Sequence, residues 1–204
     1  MALENLKEHP LYQPVLLGAV ALLASVTLAW VADATREAIG EAEAADLRDS
    51  LVEVLPDGFA DNNLLADRVE IDAGGEDPLL VYRARQGGTV KGVVFKVVGK
   101  GYGGEIVILM AVDKDGGILG VRVLKHTETP GLGDKIEIAK SGWINGFTGK
   151  ALDGAVWAVK KDGGGFDQLA GATITPRAVV NAVKSGLETF ARHKAALLEG
   201  ERSS

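Results

Sequence analysis

The sequence predicts an α+β protein: a single N-terminal transmembrane helix, then a domain in which an antiparallel sheet is flanked by helices. Three observations predict it. The run Val15–Ala32 carries no charge and is almost wholly apolar. From Arg68 onward, β-branched runs are broken by Gly, Pro and Asp, the pattern of short strands joined by tight turns. Near the C-terminus, Ala178, Val179, Ala182, Val183, Gly186, Leu187 and Phe190 repeat at helical spacing and make one apolar stripe.

With Leu11 and Tyr12 in front of it, the apolar run approaches the roughly 20 residues that cross a bilayer as a helix. Tyr12 and Trp30 fall near its ends, where amphipathic aromatics favour the interface. A signal peptide has a shorter apolar region and a basic start. Here Lys7 is opposed by Glu4 and Glu8, which favours a retained anchor. Ala32-Asp33-Ala34 offers a small-x-small cleavage pattern, so a cleaved signal stays the competing reading, and a buried core helix is a third. Lys7 against Arg36 and Arg48 gives no usable charge bias for orientation. The expected organisation is a short tail at 1–10, a transmembrane helix at 11–32, a helical stalk at 33–56 and a folded domain at 57–200. In the stalk, Ala38, Ala42, Ala45, Leu47, Leu51, Val54 and Leu55 form an incomplete stripe that Pro56-Asp57-Gly58 ends.

Strands are expected at Arg68–Ile71, Leu79–Arg85, Val90–Val98, Glu105–Val112 and Ile118–Leu124. Asp113-Lys114-Asp115-Gly116-Gly117 between the last two is a strong hairpin signal. Gly99–Gly104 resembles a phosphate loop superficially, but lacks the Walker spacing and a hydroxyl after its lysine, so a flexible turn is expected. In His126–Lys135, Gly131 and Gly133 would let backbone approach a flat ligand. Thr129 would offer a hydroxyl and Leu132 a surface for a ring. An ordinary Pro-Gly turn is the competing account. Glu128 is read as a solvated loop carboxylate and His126 as structural or surface. Trp143, Ile144 and Phe147 suggest a short helix within Lys140–Lys150. Trp143 suits either a cofactor face or the core. Val156–Val159 reads as a strand. Lys160 and Lys161 follow it, either to balance a bound phosphate or as a solvated pair.

Asp167–Pro176 then runs from loop into helix. Thr175 is a good N-cap and Pro176 suits the first helical position. That places Thr173 beside the unpaired N–H groups and partial positive charge of a helix N-terminus, a ready phosphate site. On this string alone, a plain turn and cap is the favoured account of Gly171, Ala172 and Thr173.

The rest of the composition mainly excludes. A net charge of −6 without a basic run argues against nucleic acid. With no Cys there is no disulfide, thiolate-held cluster or thiol nucleophile, and three scattered His lack metal-ligand spacing. No metal site is expected from those His, and since no Gly-x-Gly-x-x-Gly follows a strand into a helix, no dinucleotide site is expected either; no residue is assigned a catalytic role.

Four stretches together are specific: Thr127–Glu137, Trp157–Gly164, Phe166-Asp167-Gln168 and Gly171–Pro176. Through them, and from the N-terminal helix to about Val183, the chain resembles the G subunit of the Rnf (Rsx) ion-translocating electron-transport complex. It is more distantly similar to the C subunit of the sodium-pumping NADH:quinone oxidoreductase. The resemblance implies a covalent flavoprotein in which FMN is joined by a phosphoester to a threonine. A flavin transferase reads Asp-x-x-(Ser/Thr)-Gly-Ala-Thr in that family. Carried over, the acceptor is Thr173 and the recognition aspartate is Asp167. Ala170 departs from the pattern, which carries Ser or Thr there. The loop holding Thr129, Gly131, Leu132, Gly133 and Lys135 is implied to border the flavin, with Gly171, Ala172, Thr175, Trp143 and Lys161 as further cofactor-binding residues.

The implied role is an electron carrier in a complex that moves electrons between ferredoxin and NAD and couples this to ion transport. The implied partners are other membrane subunits, the transferase and membrane lipid. The implied location is the bacterial inner membrane, with the domain on the periplasmic side. A tethered module that binds FMN or another phosphate ligand non-covalently, without electron transfer, is the alternative.

Overall fold

The computed structural model describes residues 11–74 and 78–199, apart from the side chains of Glu37, Glu41, Glu43 and Ala44. The expected tail at 1–10 and the domain end at Gly200 lie outside the described residues. The chain divides into two units, residues 1–46 and 47–204. Helix α1, Tyr12–Glu53, crosses that division.

In the first unit, Tyr12–Arg36 has a mean hydropathy of 2.3 and none of it is buried. It is long and apolar enough to span a membrane. Both threonine hydroxyls in it are satisfied within the helix: Thr27 donates to the Leu23 carbonyl at 2.8 Å and Thr35 to that of Val31 at 2.9 Å. That is what a non-aqueous surrounding demands. Ala38, Ala42 and Ala45 are exposed, so the upper part of the expected stalk stripe covers nothing.

The second unit holds a five-stranded sheet in the order β1 (Arg68–Ile71), β2 (Leu79–Gln86), β3 (Thr89–Lys100), β4 (Glu105–Asp113) and β5 (Ile118–Lys125). Every neighbouring pair is antiparallel. Side-chain alternation sorts the strands into two faces. Val81, Phe95, Met110 and Val121 stand in register across four strands and face the larger core. Their neighbours Tyr82, Val94 and Ala111 face a second core with Leu51 and Val54, from the end of α1 and just beyond it. The Asp113–Gly117 turn forms as expected. The Asp113 carboxylate accepts from the amides of Asp115 at 2.8 Å and Gly117 at 2.9 Å.

Helix α2, Ile174–Leu198, lies on the first face and buries the whole stripe expected from its spacing. Arg83 of β2 closes its far end by donating to the carbonyls of Leu197 at 3.0 Å and Ala196 at 3.1 Å. Two expectations change. The helix around Trp143 is a 3-10 turn, Gly142–Phe147, started by Ser141, whose Oγ accepts from the Trp143 amide at 3.2 Å. Val156–Val159 is no strand: only Val159 makes a bridge, parallel to Phe166. Its glycine-rich sequel turns back too soon for a ladder to form. Stacked rings hold this segment instead, Phe147 to Phe166 at 4.6 Å and to Trp157 at 6.4 Å.

Gly186 lets α2 lie close on the sheet. A Cβ there would overlap Met110 Sδ and fall 2.8 Å from Val97 Cγ1. Gly186→Val is therefore expected to cost about 1–3 kcal/mol through overpacking. Gly186→Ala is expected to be much milder, since about 1 kcal/mol of helix propensity offsets the crowding. Urea denaturation of both variants checks this; equal losses would show that the helix has room to shift.

Candidate functional site

The first turn of α2 meets the loop that leaves β5. Thr173 is the residue before the helix and Thr175 lies inside it, so the expected cap moves back by two residues. The reason is local to Thr175: its hydroxyl is turned inward and donates to Glu128 Oε2 instead of accepting from an amide of its own helix. Thr175 is 1% exposed and Glu128 6% exposed. Glu128 is thus a buried acceptor and not the solvated carboxylate expected. Its Oε1 accepts from the Gly103 amide at 2.9 Å. Its own amide donates to His126 Nδ1 at 3.0 Å, and His126 Nε2 lies 2.7 Å from Glu137 Oε1. A ring whose Nδ1 accepts carries its proton on Nε2, so His126 is a structural brace.

Gly99–Gly104, expected to be a flexible turn, is also seated on this loop. Gly101 and Gly103 pack so closely on Glu128 and Thr127 that a Cβ at either would overlap them.

A cleft of about 400 Å³ opens here, lined by Tyr102, Glu128, Thr129, Leu132, Gly133 and the Gly171–Thr175 stretch. Its size falls in the usual range for small-molecule sites, about 300–1,000 Å³. The Thr129 carbonyl accepts from the amides of Leu132 at 3.2 Å and Gly133 at 3.1 Å, which curls the loop around Pro130 and Gly131. Gly171 has φ +81°, and a Cβ there would meet Leu132 Cδ2 at 2.6 Å. The two loops therefore interlock at a position only glycine fills. Thr173 is exposed within the cleft and its hydroxyl makes no cap.

The structure thus brings together Thr129, Leu132, Gly133, Gly171, Ala172, Thr173 and Thr175. Gly131 sits at the tip of the turn with φ +79°, outside the lining. Lys135 does not line the cleft either, and its carbonyl accepts from Ser141 Oγ at 2.6 Å. Trp143 is a half-buried brace, edge-on to Phe147 at 5.4 Å, with Nε1 donating to the Asp167 carbonyl at 2.8 Å. Lys161 is exposed and outside the lining. The exposed Asp167 carboxylate pairs with Lys160 at 2.5 Å. Sequence reasoning missed Tyr102, Glu128 and Ile174 as cleft residues. The glycines at 101 and 103 are the only local sign that another segment lies close.

Residues 101–188 match the FMN-binding domain family, a span that contains every residue lining the cleft. The G subunit of the ion-translocating oxidoreductase complex from Cereibacter sphaeroides is 51% identical over 195 residues, covering 94% of this chain and 89% of that protein. The chain belongs to the family of these G subunits. The same subunit from Stutzerimonas stutzeri is 45% identical over 196 residues, with 95% of this chain and 86% of that one covered. Among solved structures, the crystal structure of Shewanella oneidensis NqrC is similar at 29% identity and a TM-score of 0.50, covering 68% of this chain and 71% of that one. The fold of the family is the sheet and helix arrangement described above.

Two positions can be probed, one in the cleft's wall and one outside its lining. Thr175→Val removes one donor from a buried carboxylate and is expected to cost about 1–3 kcal/mol, measured by chemical denaturation. A cost no larger than that of an exposed substitution would show that Glu128 finds another donor. The second position is Arg177, which donates to both Asp162 oxygens at 2.6 and 2.7 Å and holds that carboxyl below its ordinary value of 3.8. A depressed native pKa stabilises above the unfolded value, and the contribution disappears as pH falls through the native one. The melting temperature of the wild type is therefore expected to exceed that of Asp162→Asn at neutral pH. The gap should close as the pH drops below 3.8.

Proposed function

We propose that this chain is a membrane-anchored electron carrier of an Rnf-type ion-translocating complex, with FMN joined through its phosphate to the Thr173 hydroxyl. The observation that carries the reading is an exposed, uncapped threonine hydroxyl at the start of a 25-residue helix, inside the family's cleft. The amides of that helix's first turn have no intrahelical partners. They and the helix dipole favour a phosphate by about 0.3–1 kcal/mol. Leu132 and Tyr102 offer apolar surface and Thr129 a polar wall, so the residues fit a flavin mononucleotide. When bound, the flavin supplies one- and two-electron chemistry. The protein supplies the tether, the orientation and a wall that includes a buried carboxylate.

The remaining assignments follow from that reading. Residues 11–32 anchor the chain in the inner membrane after a short tail at 1–10, and 33–56 form a stalk. Residues 57–200 form the FMN-binding domain, on the periplasmic side. The partners are the other membrane subunits, lipid, and a flavin transferase that reads Asp167 and Gly171-Ala172-Thr173. Asp167 is exposed, as recognition by a second protein requires. Ala170 stands where the transferase pattern has Ser or Thr, and since it is not the acceptor, loading is expected to proceed. Electrons pass between ferredoxin and NAD through the complex, and this chain relays them.

Full-length protein made with the transferase is expected to give a fluorescent band on a denaturing gel, with FMN mapped to Thr173 by mass spectrometry. Thr173→Ala should make the band dark. A dark wild-type band, with the transferase active on a control substrate, would return the chain to non-covalent binding. Fluorescence that survives in Thr173→Ala would move the acceptor.

A further inference from the structure

Tyr102 sits in the middle of a turn that has no freedom to place it elsewhere. β3 and β4 are joined through Gly101–Gly104, closed by the Gly101 amide donating to the Gly104 carbonyl at 2.8 Å. The turn rests on residues 127 and 128. A Cβ at Gly101 would overlap Glu128 Oε1, one at Gly103 would overlap the Thr127 carbonyl, and one at Gly104 would fall 2.6 Å from Thr127 Oγ1. The Gly103 amide is bound to Glu128 Oε1 at 2.9 Å. So the backbone on both sides of Tyr102 is held against the cleft wall, while its side chain is 73% exposed at the cleft's mouth. Leu132, 42% exposed, also lines the cleft.

A fixed backbone that presents a bare aromatic ring to an open cleft is an arrangement that a flat ligand completes. We infer that Tyr102 lays its phenol ring against the isoalloxazine of the loaded protein. The inference rests on the flavin reading of this cleft and adds a ring contact to it. It has an optical signature. A phenol in contact with a photoexcited flavin gives it an electron and takes it back, which quenches emission and leaves both unchanged. Phenylalanine has the same shape but is not readily oxidised. The indoles of Trp143 and Trp157 do not line the cleft.

The test uses full-length, flavin-loaded protein in detergent, with emission read natively and after denaturation. Wild-type emission is expected to rise severalfold on denaturation. Tyr102→Phe should be bright already in the native state, yet as shielded from iodide as the wild type. Tyr102→Leu should be bright and open to iodide. Because Tyr102 is exposed, none of these changes threatens the fold. Native emission of Tyr102→Phe equal to wild type, with equally fluorescent gel bands, would overturn the contact and leave the covalent carrier standing. A dark gel band would instead overturn the covalent reading. FMN titrated into the protein then tests the same residue: wild type should quench it and Tyr102→Phe should not, and equal quenching by both would overturn the contact.

Discussion

A carboxylate taken out of water has to be given hydrogen bonds or a cation. Among the described residues no lysine or arginine pairs with Glu128, so its two oxygens take the Thr175 hydroxyl and the Gly103 amide. These donors come from the first turn of α2 and from the β3–β4 turn, remote from each other and from residue 128 in sequence. Satisfying one side chain therefore fixes three segments at once. The segments are those that wall the cleft: the loop with Thr129 and Leu132, the turn with Tyr102, and the helix start with Thr173. Removing a donor leaves the desolvation cost unopposed, which is why the arrangement resists partial loosening. His126 adds a third tie, because its ring holds the Glu128 amide while Glu137 holds the ring.

The sheet and α2 were legible because each repeats at a period set by backbone geometry. Val93, Phe95, Ile108, Met110 and Val112 alternate along their strands, and the Ala178–Phe190 stripe recurs at the helical interval. Local pattern and tertiary burial agree there. The cleft was legible in two of the loops that line it, through the glycines and the resemblance, but not in the buried groups behind them. Nothing near Glu128 in sequence distinguishes a buried carboxylate from a solvated one, because its donors arrive from residues 103 and 175. The helix cap failed for the same reason. Thr175 has the chemistry of a cap, but a carboxylate distant in sequence accepts from its hydroxyl and turns the side chain away from the helix amides. Val159 and Phe166 show the opposite error: a β-branched run of the right composition has no partner strand and is held by aromatic stacking.

Helix α1 changes the character of its surface along its length. From Val15 to Ala32 it is apolar around almost its whole circumference, with Leu17, Leu22, Leu23, Leu28 and Trp30 all strongly exposed. A helix with no polar side has none to turn toward water, and lipid is the surrounding that suits it. From Leu47 the pattern becomes one-sided, and Leu51 and Val54 reach zero and 1% exposure against the second face of the sheet. The change from uniform to one-sided hydropathy coincides with the division between the chain's two units at Asp46 and Leu47.

The exposure of the cleft bears on why the proposed covalent tether would suit it. Most small-molecule sites bury the greater part of their ligand, and the burial supplies affinity. Here the cleft's apolar residues stay open: Tyr102 is 73% exposed, Ile174 46% and Leu132 42%. Such a site would hold a free flavin weakly. Joining the ligand to the wall changes the arithmetic. An intramolecular ligand is present at an effective concentration in the millimolar range, so weak contacts suffice to keep the ring seated. On the proposed reading, the phosphoester at Thr173 supplies retention, and the ring contacts need supply only orientation. An open ring edge is what electron exchange with a neighbouring protein requires, and a deep pocket would insulate it. The exposed apolar rim, which would be a defect in a site built for affinity, is therefore consistent with one built for contact.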